Sequence, residues 1–207
     1  MIRTMMSALA AGSLAAPALA PALAADEPGA GDAAPAFTGT ASDGTSVDLA
    51  DYEGRTVVLE WTNHGCPYVQ KVYDGGVMQD LQARAEEEGV VWITVISSAP
   101  GKQGHVSAQK ANELSEKRDA APAKVVLDET GEIGRLYGAK TTPHMFVVDG
   151  GGIVRYAGAI DDRPTANPAS LEGATNYVSL ALDAVAAGEP VALSETKAYG
   201  CSVKYAS

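Results

Sequence analysis

Val90-Val-Trp-Ile-Thr-Val-Ile96 is apolar and largely β-branched, with Thr94 its one polar residue. A run of this kind reads as a strand, and a strand without a polar face must be covered on both sides. It therefore demands a parallel or mixed sheet with helices packed over it, an α/β fold. The flanking pattern agrees. Thr56-Val-Val-Leu-Glu-Trp61 and Lys124-Val-Val-Leu-Asp128 read as further strands, and Thr141 to Asp149 as a turn feeding another. After Gly150-Gly-Gly152, Ile153 to Tyr156 completes an antiparallel hairpin.

Helical segments alternate with these strands. The first runs from Pro67 to about Tyr73, where Asp74-Gly75-Gly76 interrupts it, and the second from Val77 to Glu88 puts Val77, Leu81 and Ala85 on one stripe. A glycine-bearing loop, Ser97 to Gly104, leads to a third over Ser107 to Arg118, and a short one spans Thr130 to Tyr137. A closing helix is expected over Ser170 to Ala187, with Leu171, Ala174, Tyr177, Val178, Ala181, Leu182 and Val185 on its apolar face. Phe37 to Leu49, with Asp43-Gly44 at its centre, suggests a small opening hairpin.

The N-terminus carries one positive charge at Arg3 and then an uncharged, Ala- and Leu-rich run from Met5 to Leu23 that ends in Ala22-Leu23-Ala24. This reads as a secretory signal peptide over residues 1–24, which predicts a periplasmic or secreted protein. Pro17 and Pro21 make the run a poor transmembrane helix, and no later stretch suits one. Residues 25–36, rich in Asp, Glu, Pro, Gly and Ala, read as a flexible leader, 37–187 as a single domain, and 188–207 as a C-terminal tail. The formal net charge of −11 argues against nucleic-acid binding. An oxidising compartment permits disulfides, so the two cysteines, Cys66 and Cys201, matter as a pair.

Cys66 stands in Trp61-Thr-Asn-His-Gly-Cys-Pro-Tyr-Val69, after a strand and at the start of a helix. Unpaired amide groups at a helix N-terminus favour thiolate over thiol, and Pro67 at the first helical position has no amide hydrogen to leave unbonded. Strand, Trp-x-x-x-x-Cys-Pro, helix, then Thr-Pro leading into a hairpin and a last helix: this order resembles the thioredoxin superfamily. More narrowly it is similar to the extracytoplasmic redoxin proteins (AhpC/TSA-like), relatives of thioredoxins and peroxiredoxins. The resemblance covers about residues 37–187 and implies a thioredoxin-like three-layer α/β/α sandwich with a mixed central sheet. It also implies that Cys66 is the attacking thiol, that Pro143 is cis and packed beside it, and that Thr142 offers backbone groups to an extended substrate segment.

Two departures shape the chemistry. Thioredoxins carry Cys-x-x-Cys, whereas this chain has Val69 at the second position, so Cys201 is the sole candidate in the chain for a resolving thiol. Peroxiredoxins carry Thr-x-x-Cys, whereas Asn63 stands three residues before Cys66 and Thr62 is one place too early. Asn63 is a candidate to hydrogen-bond a peroxide or the thiolate. The resulting expectation is a thiol oxidoreductase acting on a protein thiol or disulfide, reset by a partner or a small thiol reductant, with peroxide as the alternative substrate. A reading of another class makes Cys66–Cys201 a structural disulfide in a binding module, stabilising by roughly 4 to 5 kcal/mol through loop closure. Cys66 as a small buried hydrophobe is the plainest alternative.

Trp61, Pro67 and Tyr68, with Thr142, Pro143 and His144, make up the expected substrate groove, although Trp61 and Tyr68 also read as packing aromatics. In the thioredoxin-like arrangement the two loops meet, so His64, Cys66 and His144 are expected close together, where imidazole tunes the thiol or takes its proton. No cofactor or metal is expected; the same trio is the set that copper or zinc would find here. Glu60 is expected to be partly exposed at its strand end, or to relay protons to the thiol. Asp161-Asp162-Arg163-Pro164 reads as a surface turn, and Ala99 to Gly104 lacks the phosphate-loop pattern.

Overall fold

Val91–Ile96 is buried at every position, and the chain supplies cover on both sides of it. The computed structural model describes residues 27–206, so the expected signal peptide and the first two leader residues lie outside the described residues. The chain opens with a hairpin of β1 (Thr38–Thr40) and β2 (Ser46–Asp48) and continues through β3 (Val57–Trp61), α1 (Pro67–Asp74) and α2 (Val77–Glu87). There follow β4 (Val91–Ile96), α3 (Ala108–Lys117), β5 (Lys124–Leu127), α4 (Glu132–Leu136), β6 (Thr141–Thr142), β7 (His144–Val148), β8 (Val154–Gly158), α5 (Tyr177–Ala187) and β9 (Cys201–Ser202).

The central sheet has the order β5-β4-β3-β7-β8, with β3, β4 and β5 parallel and β7 and β8 antiparallel to their neighbours. It is the mixed sheet of a thioredoxin-like α/β/α sandwich. Alternation along the strands divides the core. Leu59, Trp61, Ile93 and Phe146 face one side, under the β1–β2 hairpin and α4. Val58, Trp92, Met145 and Val147 face the other, under α1, α2 and α5 through Val72, Leu81 and Leu182. Each such buried side chain contributes roughly 1.5 to 3 kcal/mol relative to exposure.

Three expectations need correction. The closing helix is shorter than Ser170–Ala187: Pro168–Leu171 forms a separate 3-10 turn, and α5 begins only at Tyr177. Gly173 at φ +65° breaks the run, and the Asn176 side chain accepts from the Ser179 amide at 3.0 Å to start the helix. Leu171 and Ala174 therefore lie off the helix. The described part of the leader is not a loose connector, since Gly31 N donates to Val154 O at 2.8 Å and Ala34 N to Gly152 O at 2.8 Å. The tail likewise runs along β8, with Ala157 N donating to Ser194 O at 3.0 Å and Thr196 N to Ala157 O at 3.1 Å. An edge strand presents unpaired backbone groups, and these two segments satisfy them.

Glu60 is the third. It is fully buried rather than partly exposed, on the α1 side of β3. Tyr73 donates to it at 2.9 Å, Trp92 Nε1 at 3.0 Å and Thr94 Oγ1 at 3.1 Å. Burial outweighs these donors and raises its pKa above 4.5. The unfolded chain thus ionises first as pH rises past about 4.5, so stability is fully present below that value and falls until the folded carboxyl ionises. Glu60→Gln is expected to raise Tm by calorimetry at pH 8 relative to wild type, and to do so less at pH 4; an equal shift at both contradicts the assignment.

Candidate active site

Cys66 owes its position to the end of β3. Thr62 N still donates to Val95 O at 3.0 Å, extending the sheet, and the chain then turns so that Cys66 N donates to Asn63 O at 3.0 Å. The Asn63 side chain holds this turn: its Oδ1 accepts from Gly65 N at 2.9 Å, and its Nδ2 donates to Gln103 O at 3.2 Å. Gln103 Nε2 reaches back to Gly65 O at 2.8 Å. Gly104, at φ +93°, is needed because a Cβ there would sit 2.5 Å from the Asn63 side chain. The 99–104 loop thus clamps the thiol loop, and Asn63 is a buried part of that clamp rather than a group facing an incoming peroxide.

Cys66 is the N-cap of α1, with Pro67 at the first helical position, and is 0% exposed. The Thr142–Pro143 peptide bond is cis, as the resemblance implies. The Cys66 thiol donates to Thr142 O at 3.1 Å. Thr142 also pairs in antiparallel register with Cys201 of β9. This approach is close: Gly200 lies at φ +140°, and a Cβ there would fall 2.0 Å from Thr142 O. The tail therefore folds back onto its own chain and sets Cys201 against the cluster that holds Cys66.

The two thiols differ electrostatically. Burial pushes the Cys66 pKa up, but donors to its sulfur outweigh it: the Cys201 thiol, the Val69 amide, the Thr142 hydroxyl and the Cys201 amide. The net effect holds it below the ordinary value. The side chain closes no capping hydrogen bond of its own, so the Val69 contribution is that of a first-turn amide facing the sulfur. Burial pushes Cys201 up to about 11, reinforced by its hydrogen bond to Cys66 and by the charge there. Cys66 is the more acidic of the two thiols, and Cys201 donates to it.

The remaining candidates divide. Pro67 follows Cys66 at the first helical position, and Pro143 follows Thr142, whose carbonyl accepts from the thiol. Tyr68, half-buried, packs edge-on against Tyr199 of the tail with ring centroids 5.7 Å apart. Trp61 is not at a substrate groove: it is fully buried in the opposite core, with Nε1 donating to Ser97 Oγ at 3.0 Å. The expected His64, Cys66 and His144 grouping is not formed. His144 shares a strand face with Phe146, its ring 4.7 Å away, and that face belongs to the core opposite Cys66. Burial and the Lys140 charge hold His144 down to about 4, so it is neutral at pH 7. His64 lines a cleft with Leu114, Ser115 and Arg118 at the end of α3, and burial with the Arg118 charge lowers its pKa. Among the described residues no group of three or more His, Cys, Asp or Glu side chains is arranged to hold a metal ion.

One functional cluster escaped the sequence reading. Lys71 of α1 is buried, with Nζ 3.1 Å from Asp161 Oδ2, 3.0 Å from Arg163 O and 3.0 Å from the Tyr199 hydroxyl. Tyr199 also donates to Asp161, which is buried rather than part of a surface turn. Tyr199 lies two residues before Cys201, so this cluster fixes the tail where the thiols meet. Its members are far apart in sequence, and only the isolated lysine on the buried side of α1 was a signal.

Two outcomes follow from this geometry. Cys201→Ala removes a donor, so the ultraviolet thiolate absorbance of Cys66 is expected to titrate at higher pH than in wild type; an unchanged midpoint contradicts the contact. Hydrogen bonds to charged groups contribute about 1.5 to 3 kcal/mol, so Tyr199→Ala is expected to speed alkylation of Cys66 roughly tenfold to a hundredfold. An unchanged alkylation rate means that Tyr199 does not hold the tail.

Comparison with known proteins agrees with the fold. The family model described as Redoxin matches residues 29–175. Methylamine utilization protein MauD of Paracoccus versutus is 31% identical over 136 residues, which span 66% of this chain and 61% of that protein. The match thus spans about three fifths of the length of that curated relative. An uncharacterized conserved protein from Geobacillus kaustophilus superimposes with a TM-score of 0.72 at 26% identity, covering 86% of this chain and 92% of that one. A putative thiol:disulfide interchange protein DsbE from Chlorobium tepidum does so with a TM-score of 0.53 at 27% identity, over 70% of this chain and 94% of that one.

Proposed function

We propose that this chain, which belongs to the Redoxin family, exchanges disulfides with a thiol partner through Cys66 and Cys201. Family membership supports a thiol-redox role in general terms. The observation that supports the finer reading is the pairing of Cys201 with Thr142, beside Cys66, because it supplies a second thiol where Val69 offers none. The pair interconverts between dithiol and disulfide. A partner disulfide takes two electrons from it and two protons, and a partner dithiol returns them. The lowered Cys66 pKa and the raised Cys201 pKa suit that cycle, since the first sulfur gives up its proton more readily than the second. A dithiol or small thiol reductant resets the pair, and the signal-like N-terminus supports work in a compartment where its disulfide persists.

Disulfide exchange is favoured over peroxide reduction by the state of Asn63. At the position where the peroxiredoxin pattern carries its hydroxyl residue, this amide is buried and bonded to Gly65 and Gln103. The test is intact-mass and alkylation analysis after oxidised dithiothreitol. The expected product is two hydrogens lighter and resists alkylation at both cysteines until reduced. Cys66→Ala and Cys201→Ala are each expected to lose at least about tenfold in exchange rate with a model disulfide. Full activity in Cys66→Ala, or a Cys66–Cys201 disulfide that no dithiol opens, contradicts the proposal; the second result marks a stapled scaffold.

A further inference from the structure

We infer that Cys201, not Cys66, is the sulfur that a partner meets, so that the mixed disulfide forms on the tail and Cys66 is the inner sulfur that leaves it and returns. This rests on the disulfide-exchange reading above and reverses the order that the family resemblance implies. Access is the first ground. Cys66 is 0% exposed, beneath β9, whereas Cys201 is partly exposed. Thiolate attack on a disulfide proceeds in line, from the side opposite the departing sulfur, so access decides which sulfur is struck. Cys66 belongs to the buried cluster that also holds Val69 and Val72, so an incoming thiolate meets packed side chains there. Cys201, partly exposed on the tail, is open to it.

The second ground is that the docking edge is already taken. An extended partner segment would pair with the backbone of Thr142, and β9 holds that edge, with Gly200 pressed against Thr142 O. Nor does the tail swing away easily, because it is fastened on both sides of Cys201. Before it, Tyr199 is bonded to Lys71 and Asp161. After it, Val203 N donates to Lys140 O at 3.0 Å, Ala99 N to Lys204 O at 2.9 Å and Tyr205 Oη to Ala139 O at 2.7 Å. The leaving-group order points the same way, since the thiol of lower pKa departs faster.

The exchange is balanced as follows. A partner thiolate attacks Sγ of Cys201 in the Cys66–Cys201 disulfide; the bond between the two sulfurs breaks and its electron pair leaves on Cys66. A second thiolate of the same partner then attacks the partner's sulfur in the mixed disulfide. Cys201 departs and takes up a proton released by the partner dithiol. The partner is oxidised by two electrons to a disulfide and the pair is reduced by two. Run backwards, the same steps reduce a partner disulfide.

Mapping the first adduct tests this on the unaltered protein. The chain is closed with oxidised dithiothreitol, mixed briefly with glutathione, quenched in acid, alkylated and cut with trypsin. Cleavage after Arg55, Lys71, Lys197 and Lys204 puts the two cysteines on separate peptides, 56–71 and 198–204. At the earliest times glutathione is expected on peptide 198–204 in at least about tenfold excess, with the alkyl group on 56–71. Glutathione on peptide 56–71 in equal or greater yield overturns the inference and leaves disulfide exchange standing. If oxidised dithiothreitol never closes the pair, the disulfide-exchange reading falls and this inference with it.

Discussion

The antiparallel pairing of β9 with β6 is the contact on which the rest of the site depends. Without it Cys66 is a lone buried thiol at a helix N-terminus, and with it the second cysteine lies on the edge of Thr142 beside the first. The pairing is only two residues long, too short to stand alone. Its stability comes from what flanks it. The Lys71, Asp161 and Tyr199 cluster anchors one side, and the Tyr205 hydroxyl on Ala139 O anchors the other. Removing one partner of a buried ion pair typically costs about 3 to 5 kcal/mol, so the cluster is sensitive to truncation even where its net stabilisation is small. The tail behaves as part of the domain and not as an appendage to it.

The chemistry follows from that enclosure. Burial alone opposes a thiolate at Cys66, yet hydrogen bonds from the tail and from Thr142 reverse the effect. The same tail that covers Cys66 also lowers its pKa, so its access and its acidity are set by one element. The sheet contributes rigidity from beneath. Both neighbours of β3 are buried strands, and the Asn63 and Gln103 clamp fixes the loop between β3 and α1.

Much of this was legible in the sequence, for identifiable physical reasons. The run at Val91–Ile96, apolar but for Thr94, dictated two covered faces, and Cys66 before Pro67 marked a helix start beneath a thiol. Val69 in place of a second cysteine directed attention to Cys201. What remained hidden depends on tertiary pairing. Trp61 lies near Cys66 in sequence and His144 follows Pro143, but strand alternation turns both into the opposite core. Glu60 reads as an exposed strand end until Tyr73, Trp92 and Thr94, from two other elements, close over it. Lys71 and Asp161 are separated by 90 positions, and no local pattern announces their pairing. The tail's last strand has too few residues to register as a periodic signal.

The central claim is that Cys66 and Cys201 form one reversible dithiol–disulfide pair. An equilibrium titration of the protein in glutathione redox buffers, read by alkylation and intact mass, addresses it most directly. The account predicts a single two-electron transition in which both cysteines become resistant to alkylation together, with no stable glutathione adduct at the end point. Separate transitions for the two cysteines, ending in a glutathione adduct on either, would contradict it.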